Sequence, residues 1–183
     1  MDINRTIVLW FQDVFDGHVI FDALVVFLAE YLSYFLVIGV LYYIFMLENW
    51  RRRWIFIVLT SFIILIAMGG IAWPLQVIVG SERPFQVLDF EAFVLSGSYY
   101  SFPSLHTTFF AAIATLFFLI NKRWGVWYGF LTLLVGLGRV AAGVHWPVDI
   151  FAGLIVGVLG ALLGSYLGSD AFYGLRSSRG DKG

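Results

Sequence analysis

From Trp54 to Val79 the chain carries no charged side chain, and this run limits the possible folds more than any other feature. A helix rises about 1.5 Å per residue, so roughly 20 apolar residues cross a bilayer core about 30 Å thick. Inside hydrocarbon the backbone must satisfy its own N–H and C=O groups, which makes a crossing segment helical. Comparable runs recur along the sequence and predict spanning helices over about 30–47, 54–79, 104–120, 124–142 and 147–168. Residues 80–103 are the one long non-apolar stretch between them.

Composition agrees, since 61% hydrophobic and 13% charged residues leave too little polar surface for a soluble domain of this length. The expected fold is an all-α integral membrane protein, a bundle of five to six transmembrane helices with an N-terminal interfacial helix. Residues 1–16 mix Ile7, Leu9, Trp10 and Phe11 with Arg5, Asp13 and Asp16. They lack a small-residue cleavage site and are too short and polar to span, which suits a helix lying on the membrane. Residues 17–168 form the transmembrane domain, and 169–183 are read as a flexible cytoplasmic tail. The apolar region 17–47 is too long for one crossing and is interrupted by Asp22 and Glu30. We divide it into a short segment over about 18–29, interfacial or re-entrant, and a spanning helix from Glu30. Glycines at 153, 157, 160, 164 and 168 give small-xxx-small spacings that admit a close neighbour.

The absence of cysteine excludes disulfides, thiolate metal sites and a cysteine nucleophile. A formal net charge of -1 points to no nucleic-acid partner, and the placement of the charges is the informative part. Of the eleven Lys and Arg, eight fall at Arg51 to Arg53, at Lys122 with Arg123, and at Arg176, Arg179 and Lys182. The predicted helices put all three groups on one side, which the positive-inside rule makes cytoplasmic. Arg5, Arg83 and Arg139 are the exceptions. Ionisable groups at membrane depth are costly unless used, and Arg83 and Arg139 lie in the segments that carry His106 and His145.

Three polar groups thus share the non-cytoplasmic side: Arg83 with Pro84, Ser104 with His106, and Arg139 with His145 and Asp149. Two guanidiniums can hold a phosphate in forked hydrogen bonds and keep their charge. Ser104 follows Pro103 at the start of an apolar helix, where it can cap the helix and leave free amides for an anion. One histidine can attack phosphorus while the other protonates the departing oxygen. Asp149 lies four residues after His145, on the same helical face, where it can fix the imidazole tautomer. His18 has no partner in such a spacing and is read as interfacial or structural. Glu82 and Asp89 are read as solvated, and Tyr99, Tyr100 and Trp146 as interfacial anchors.

Arg83-Pro84, PSLH at 103–106 and GRVAAGVHWPVD at 138–149 resemble, in order and spacing, the three motifs of the type-2 phosphatidic acid phosphatase superfamily of membrane lipid phosphatases. The resemblance covers about residues 17–168. It implies that His145 is the nucleophile that becomes a phosphohistidine, supported by Asp149, and that His106 is first the acid and then the base. It further implies phosphate binding by Arg83, Arg139, Ser104 and the amides at Leu105 and His106, with no metal or cofactor. Three positions depart from the family pattern: Gln76 stands where the family has lysine, Leu105 where it has glycine, and Gly138 where it has serine. Gln76 can donate a hydrogen bond to the phosphate but brings no charge.

The implied activity is removal of the terminal phosphate from a lipid phosphate or diphosphate in the cell membrane, at a site on the extracytoplasmic face. Undecaprenyl diphosphate is the substrate favoured, with phosphatidylglycerophosphate and phosphatidic acid as competitors. Vanadate-dependent haloperoxidases have a similar site, but the multispan body argues against them. A lipid or anion transporter would show an internal repeat or paired broken helices, and the sequence has neither. A catalytically weakened relative that only binds lipid phosphate is the remaining alternative.

Overall fold

The computed structural model describes residues 2–15, 18–94 and 99–176, and the regular secondary structure in these is all helical. Helix α1 spans Ile3–Phe15. One long rod follows, made of α2 (Val19–Val26), a π-helical stretch (Phe27–Tyr31) and α3 (Leu32–Met46). A second rod joins α4 (Trp50–Ile64), a longer π-helical stretch (Leu65–Ala72) and α5 (Trp73–Val79), and ends at Gly80 in the left-handed conformation (φ 59°). The short α6 is Pro84–Val87, after which come α7 (Leu105–Ile120), α8 (Lys122–Ala141), α9 (Pro147–Leu167) and α10 (Ser169–Arg176).

Among the described residues four stretches are long and apolar enough to cross a membrane: Val19–Met46, Trp50–Val87, Lys122–Ala141 and Pro147–Leu167. The second of these is broken at 80–83. Helix α7, at 16 residues, is shorter but apolar and sits at the centre of the bundle against α8, α9 and the second rod. The protein is therefore a multi-pass membrane protein.

The expected division near Glu30 is absent. No proline or glycine occurs between Val19 and Ile38, so nothing breaks the helix, and the π-helical turn at Phe27–Tyr31 absorbs the irregularity without ending it. At 28 residues the rod is about 42 Å long, which it accommodates by tilting or by extending past the hydrocarbon. The second rod likewise begins at Trp50, four residues before the expected start, so Arg51 to Arg53 lie on a helix. The guanidinium of Arg53 donates to the carbonyls of Leu47 (2.8 Å) and Phe45 (2.9 Å).

Packing follows the small residues of α9. A Cβ at Gly153 would lie 2.8 Å from the Ser104 carbonyl, and one at Gly157 would lie 2.5 Å from that of Thr108, so these two glycines seat α7. Gly160 and Gly164 do the same for the second rod, meeting Ala67 and Ile63. At the far end Tyr43, Phe56, Phe117, Trp124 and Tyr128 form a cluster of aromatic rings. The Tyr128 hydroxyl donates to the Leu36 carbonyl at 2.9 Å.

The tail read as flexible from Ser169 begins instead with α10. Leu175 is buried, and Arg52 donates to its carbonyl at 3.1 Å, which binds α10 to α4. Arg179, Lys182 and the rest of 177–183 lie outside the described residues, as do Asp16 and Gly17. Through these contacts and the Tyr42–Trp124 ring pair, the basic groups at 51–53 and 122–123 gather at one end of the bundle. The polar residues around His145 occupy the other.

Candidate active site

Three short backbone features bring the polar residues together. Gly80 ends the second rod and turns the chain so that Arg83 precedes α6, with the Gln86 side chain accepting from the Arg83 amide at 2.6 Å. Ser104 caps α7, accepting from the Thr107 hydroxyl at 3.1 Å and its amide at 3.5 Å. The turn 142–146 joins α8 to α9, with Gly143 at φ 74° supplying a conformation that other residues adopt only under strain. That turn presents His145, and α9 opens at Pro147, a favoured first-turn position.

His145 is 2% exposed and Asp149 is fully buried. His145 Nδ1 lies 3.3 Å from Asp149 Oδ2, which also accepts from the Trp146 amide at 2.8 Å. On the opposite edge of the ring, His145 Nε2 lies 3.2 Å from Arg83 Nη1. A guanidinium nitrogen can only donate and a carboxylate can only accept. The neighbours therefore assign the tautomer: Nδ1 carries the hydrogen and gives it to Asp149, and Nε2 carries the lone pair. Burial first, then the charges of Arg139 and Arg83 and the nearby His106, hold the His145 imidazole well below the ordinary histidine range, which keeps it neutral.

Arg83 is fixed by donation to the Val144 carbonyl (2.6 Å) and the Tyr100 carbonyl (2.9 Å). Arg139, 3% exposed, donates from Nη1 to the Ala29 carbonyl at 3.2 Å, while its buried Nε has no protein partner. Glu30 is within electrostatic reach of Arg139 but is only half-buried and forms no ion pair with it. His106 stands on the first turn of α7 and is exposed, with charges on both arginines acting on it. The amides of Leu105 and His106 belong to that same turn, which no helical carbonyl reaches. Among the described residues no three His, Asp or Glu side chains gather as a metal site would require.

The structure thus gathers His145, Asp149, Arg83, Arg139, Ser104, Leu105 and His106 at one end of the bundle. Gln76 is placed differently from expectation. It is buried, and its Nε2 donates to the Pro103 carbonyl at 3.1 Å and the Tyr100 carbonyl at 3.4 Å. An amide nitrogen has two hydrogens, and both are aimed at the segment that leads into Ser104. Gln76 therefore braces the loop. Trp146, read as an interfacial anchor, is tied down by donation of its indole N–H to the Glu82 carbonyl at 2.8 Å.

Sequence reasoning missed the carbonyls of Tyr100, Val144 and Ala29 that orient the arginines, because every residue type has a carbonyl. It also missed Asn4 and Gln12 on α1. Their signal was available: Asn4, Val8 and Gln12 are spaced four apart on one helical stripe, and Val8 is fully buried. Arg5 does not approach the site, for it is exposed on the outer face of α1 in a cleft with Asp2, Trp10 and Asp13.

A membrane-embedded helical bundle that buries two guanidiniums beside a His–Asp pair is a protein built to act on an anion carried in lipid. The chain belongs to the PAP2 superfamily, whose family model matches residues 54–173. It is 31% identical to the bacitracin transport permease protein BcrC of Bacillus licheniformis, over 88% of this chain and 78% of that one. It is 30% identical to an undecaprenyl-diphosphatase of Sulfolobus acidocaldarius, over 74% of this chain and 65% of the relative. In fold it is similar to a transmembrane PAP2-type phosphatidylglycerolphosphate phosphatase from Bacillus subtilis, with a TM-score of 0.67 at 20% identity, covering 91% of this chain and 85% of the other. The protein is accordingly a hydrolase of the lipid phosphatase family.

Proposed function

We propose that the protein removes the terminal phosphate of a lipid diphosphate, with undecaprenyl diphosphate the best-supported substrate, through a phosphohistidine at His145. The observation that carries this reading is the charge imbalance around that residue. Arg83 and Arg139 are both buried, and among the described residues Asp149 is the one buried carboxylate beside them, so the site has an excess of positive charge with a nucleophilic nitrogen in its midst. A bound phosphate removes the imbalance.

The chemistry follows from the geometry. Phosphate oxygens take the N–H groups of Arg83, the unpartnered Nε of Arg139 and the first-turn amides of α7. The Arg83 N–H that faces His145 Nε2 redirects its hydrogen bond to a phosphate oxygen, the guanidinium keeping its proton, which frees the lone pair. Nε2 then attacks phosphorus as the bond to the leaving oxygen breaks, and His106 gives that oxygen its proton. Asp149 Oδ2 stabilises the positive charge that develops on the ring. His106 next takes a proton from water, the hydroxide attacks phosphorus, and the N–P bond breaks to release inorganic phosphate and regenerate His145. One water is consumed for each phosphate released.

We take the two long rods, α7, α8 and α9 as five crossings; the site then lies opposite the basic clusters, and the positive-inside rule supports the extracytoplasmic face for it. On this reading helix α1 lies in that interface and α10 is on the cytoplasmic side. The undecaprenyl-diphosphatase from Sulfolobus supports the choice of lipid. The transport name of the Bacillus licheniformis relative is an outcome for the test to separate. Purified protein, assayed for phosphate release from undecaprenyl diphosphate, phosphatidylglycerophosphate and phosphatidic acid with chelator present, is expected to act fastest on the first. His145→Ala is expected to abolish release. Equal release by both proteins overturns the nucleophile, and lipid binding without release overturns the enzyme reading. Because the chain has no cysteine, a single Glu91→Cys variant tests topology: labelling only after cells are broken would invert it.

A further inference from the structure

The turn that carries His145 is five residues long, between the end of α8 at Ala141 and the start of α9 at Pro147. Helix ends leave backbone groups that no residue of the same helix can satisfy. At this turn two of them are met by a different helix. The Gln12 side chain donates from Nε2 to the Ala141 carbonyl at 2.9 Å, at the end of α8. The Asn4 side chain accepts from the Val148 amide at 3.2 Å, in the first turn of α9.

Between these two contacts, on the same stripe of α1, Val8 is fully buried in a cluster with Val140 and Ile150, against which Ile7, Phe11 and Trp146 pack. The three anchors therefore fall on both flanks of the turn, one donor, one acceptor and one apolar plug. The other face of α1 leaves Ile3, Leu9, Trp10 and Val14 exposed, so the stripe of Asn4, Val8 and Gln12 is the one turned toward the bundle. The turn itself is tightly packed, since a Cβ on Gly143 would strike the ring of Phe90.

We propose that α1 is a clamp on the α8–α9 turn, and that Asn4 and Gln12 are positioning residues that hold His145 between Arg83 and Asp149. This rests on the proposed role of His145 as nucleophile. Neither residue touches substrate. Each fixes one end of the turn, so that losing both lets His145 leave the line between Arg83 Nη1 and Asp149 Oδ2. The predicted signature is a loss in turnover with substrate binding retained, because the arginines are held by other carbonyls.

The test uses the full chain in detergent with undecaprenyl diphosphate. Asn4→Ala/Gln12→Ala is expected to lower kcat by about five- to thirtyfold, from two lost hydrogen bonds, with KM within about twofold of wild type. The polarity of each bond supplies a control that packing alone would not obey. Asn4→Asp keeps an acceptor for the Val148 amide, gives up only the exposed donation from Asn4 Nδ2 to Asp2 Oδ1 at 3.3 Å, and is expected to keep kcat within about twofold of wild type. Gln12→Glu replaces the donor with a carboxylate facing a carbonyl and is expected to be at least as impaired as Gln12→Ala. Melting and size-exclusion profiles show whether each variant is folded, and if the double variant is not, the single ones carry the comparison. Folded Ala variants with wild-type kcat overturn the clamp, as does an equal effect of Asn4→Asp and Asn4→Ala. Wild type that releases no phosphate refutes instead the function on which the clamp depends.

Discussion

Replacing Asp149 with asparagine changes one atom and removes one charge. In the structure Asp149 Oδ2 accepts from His145 Nδ1 at 3.3 Å and from the Trp146 amide at 2.8 Å. An asparagine oxygen in the same place can keep both bonds, so the loss is chiefly electrostatic. As Nε2 bonds to phosphorus the ring becomes positive, and a carboxylate at 3.3 Å stabilises a full charge by roughly 5 kcal/mol at an effective dielectric of about 20. Half-developed charge in the transition state gives about half of that, so kcat should fall by roughly 10² to 10⁴. The alternative amide orientation, with NH₂ toward His145, reverses the tautomer and moves the hydrogen to Nε2, which gives a loss in the same direction. The assay is steady-state phosphate release by Asp149→Asn in detergent, with folding checked by melting. A kcat within about fivefold of wild type would refute the idea that Asp149 supports a charged His145, since that is under about 1 kcal/mol.

Other expectations follow from particular contacts. Gly157→Ala would push a Cβ to 2.5 Å from the Thr108 carbonyl, and overpacking of this kind costs about 1–3 kcal/mol. Its melting temperature should fall by several degrees, whereas Gly129→Ala, with open space at that position, should leave it unchanged. Gln76→Leu removes the donation to the Pro103 carbonyl, at about 1–3 kcal/mol, while the Tyr100 carbonyl keeps its bond from Arg83. It should lower thermal stability together with activity, while loss of activity at full stability would return Gln76 to phosphate binding. The pH dependence has a definite sign. Attack needs neutral His145, and burial with Arg139, Arg83 and His106 lowers its affinity for a proton. The acidic limb of kcat/KM that belongs to His145 should therefore lie below the ordinary value of about 6.5. Arg83→Gln removes one of those cations and should move the limb upward, and a downward shift would contradict the assignment.

Much of the site was legible because its chemistry needs side-chain types that are costly in a membrane. Arg83, Arg139, His106, His145 and Asp149 stand out for that reason, and the four-residue step from His145 to Asp149 survives as the 3.3 Å contact. Helix starts were legible where proline and a capping serine mark them, as at Ser104 and Pro147. Charge misled at Asp22 and Glu30, which suggested a division where the helix is continuous, because an acidic side chain raises the cost of a helix in lipid without breaking its backbone. The polar tail misled at Ser169–Arg176, where burial of Leu175 and the bond from Arg52 order a segment that has little apolar character of its own. Gln76 misled because alignment with a cationic position says nothing about where an amide finds acceptors. The clamp by α1 depends on contacts between residues more than 120 positions apart, which no local pattern specifies.

The central claim is a covalent bond between phosphorus and His145. It is tested most directly by mixing the protein with undecaprenyl diphosphate labelled in its terminal phosphate, quenching with alkali within one turnover, and locating the label in the digested chain. The account predicts an acid-labile, alkali-stable label on the peptide that contains His145, absent from His145→Ala. Turnover in wild type with no label on any histidine, or with the label on Ser104, would contradict it.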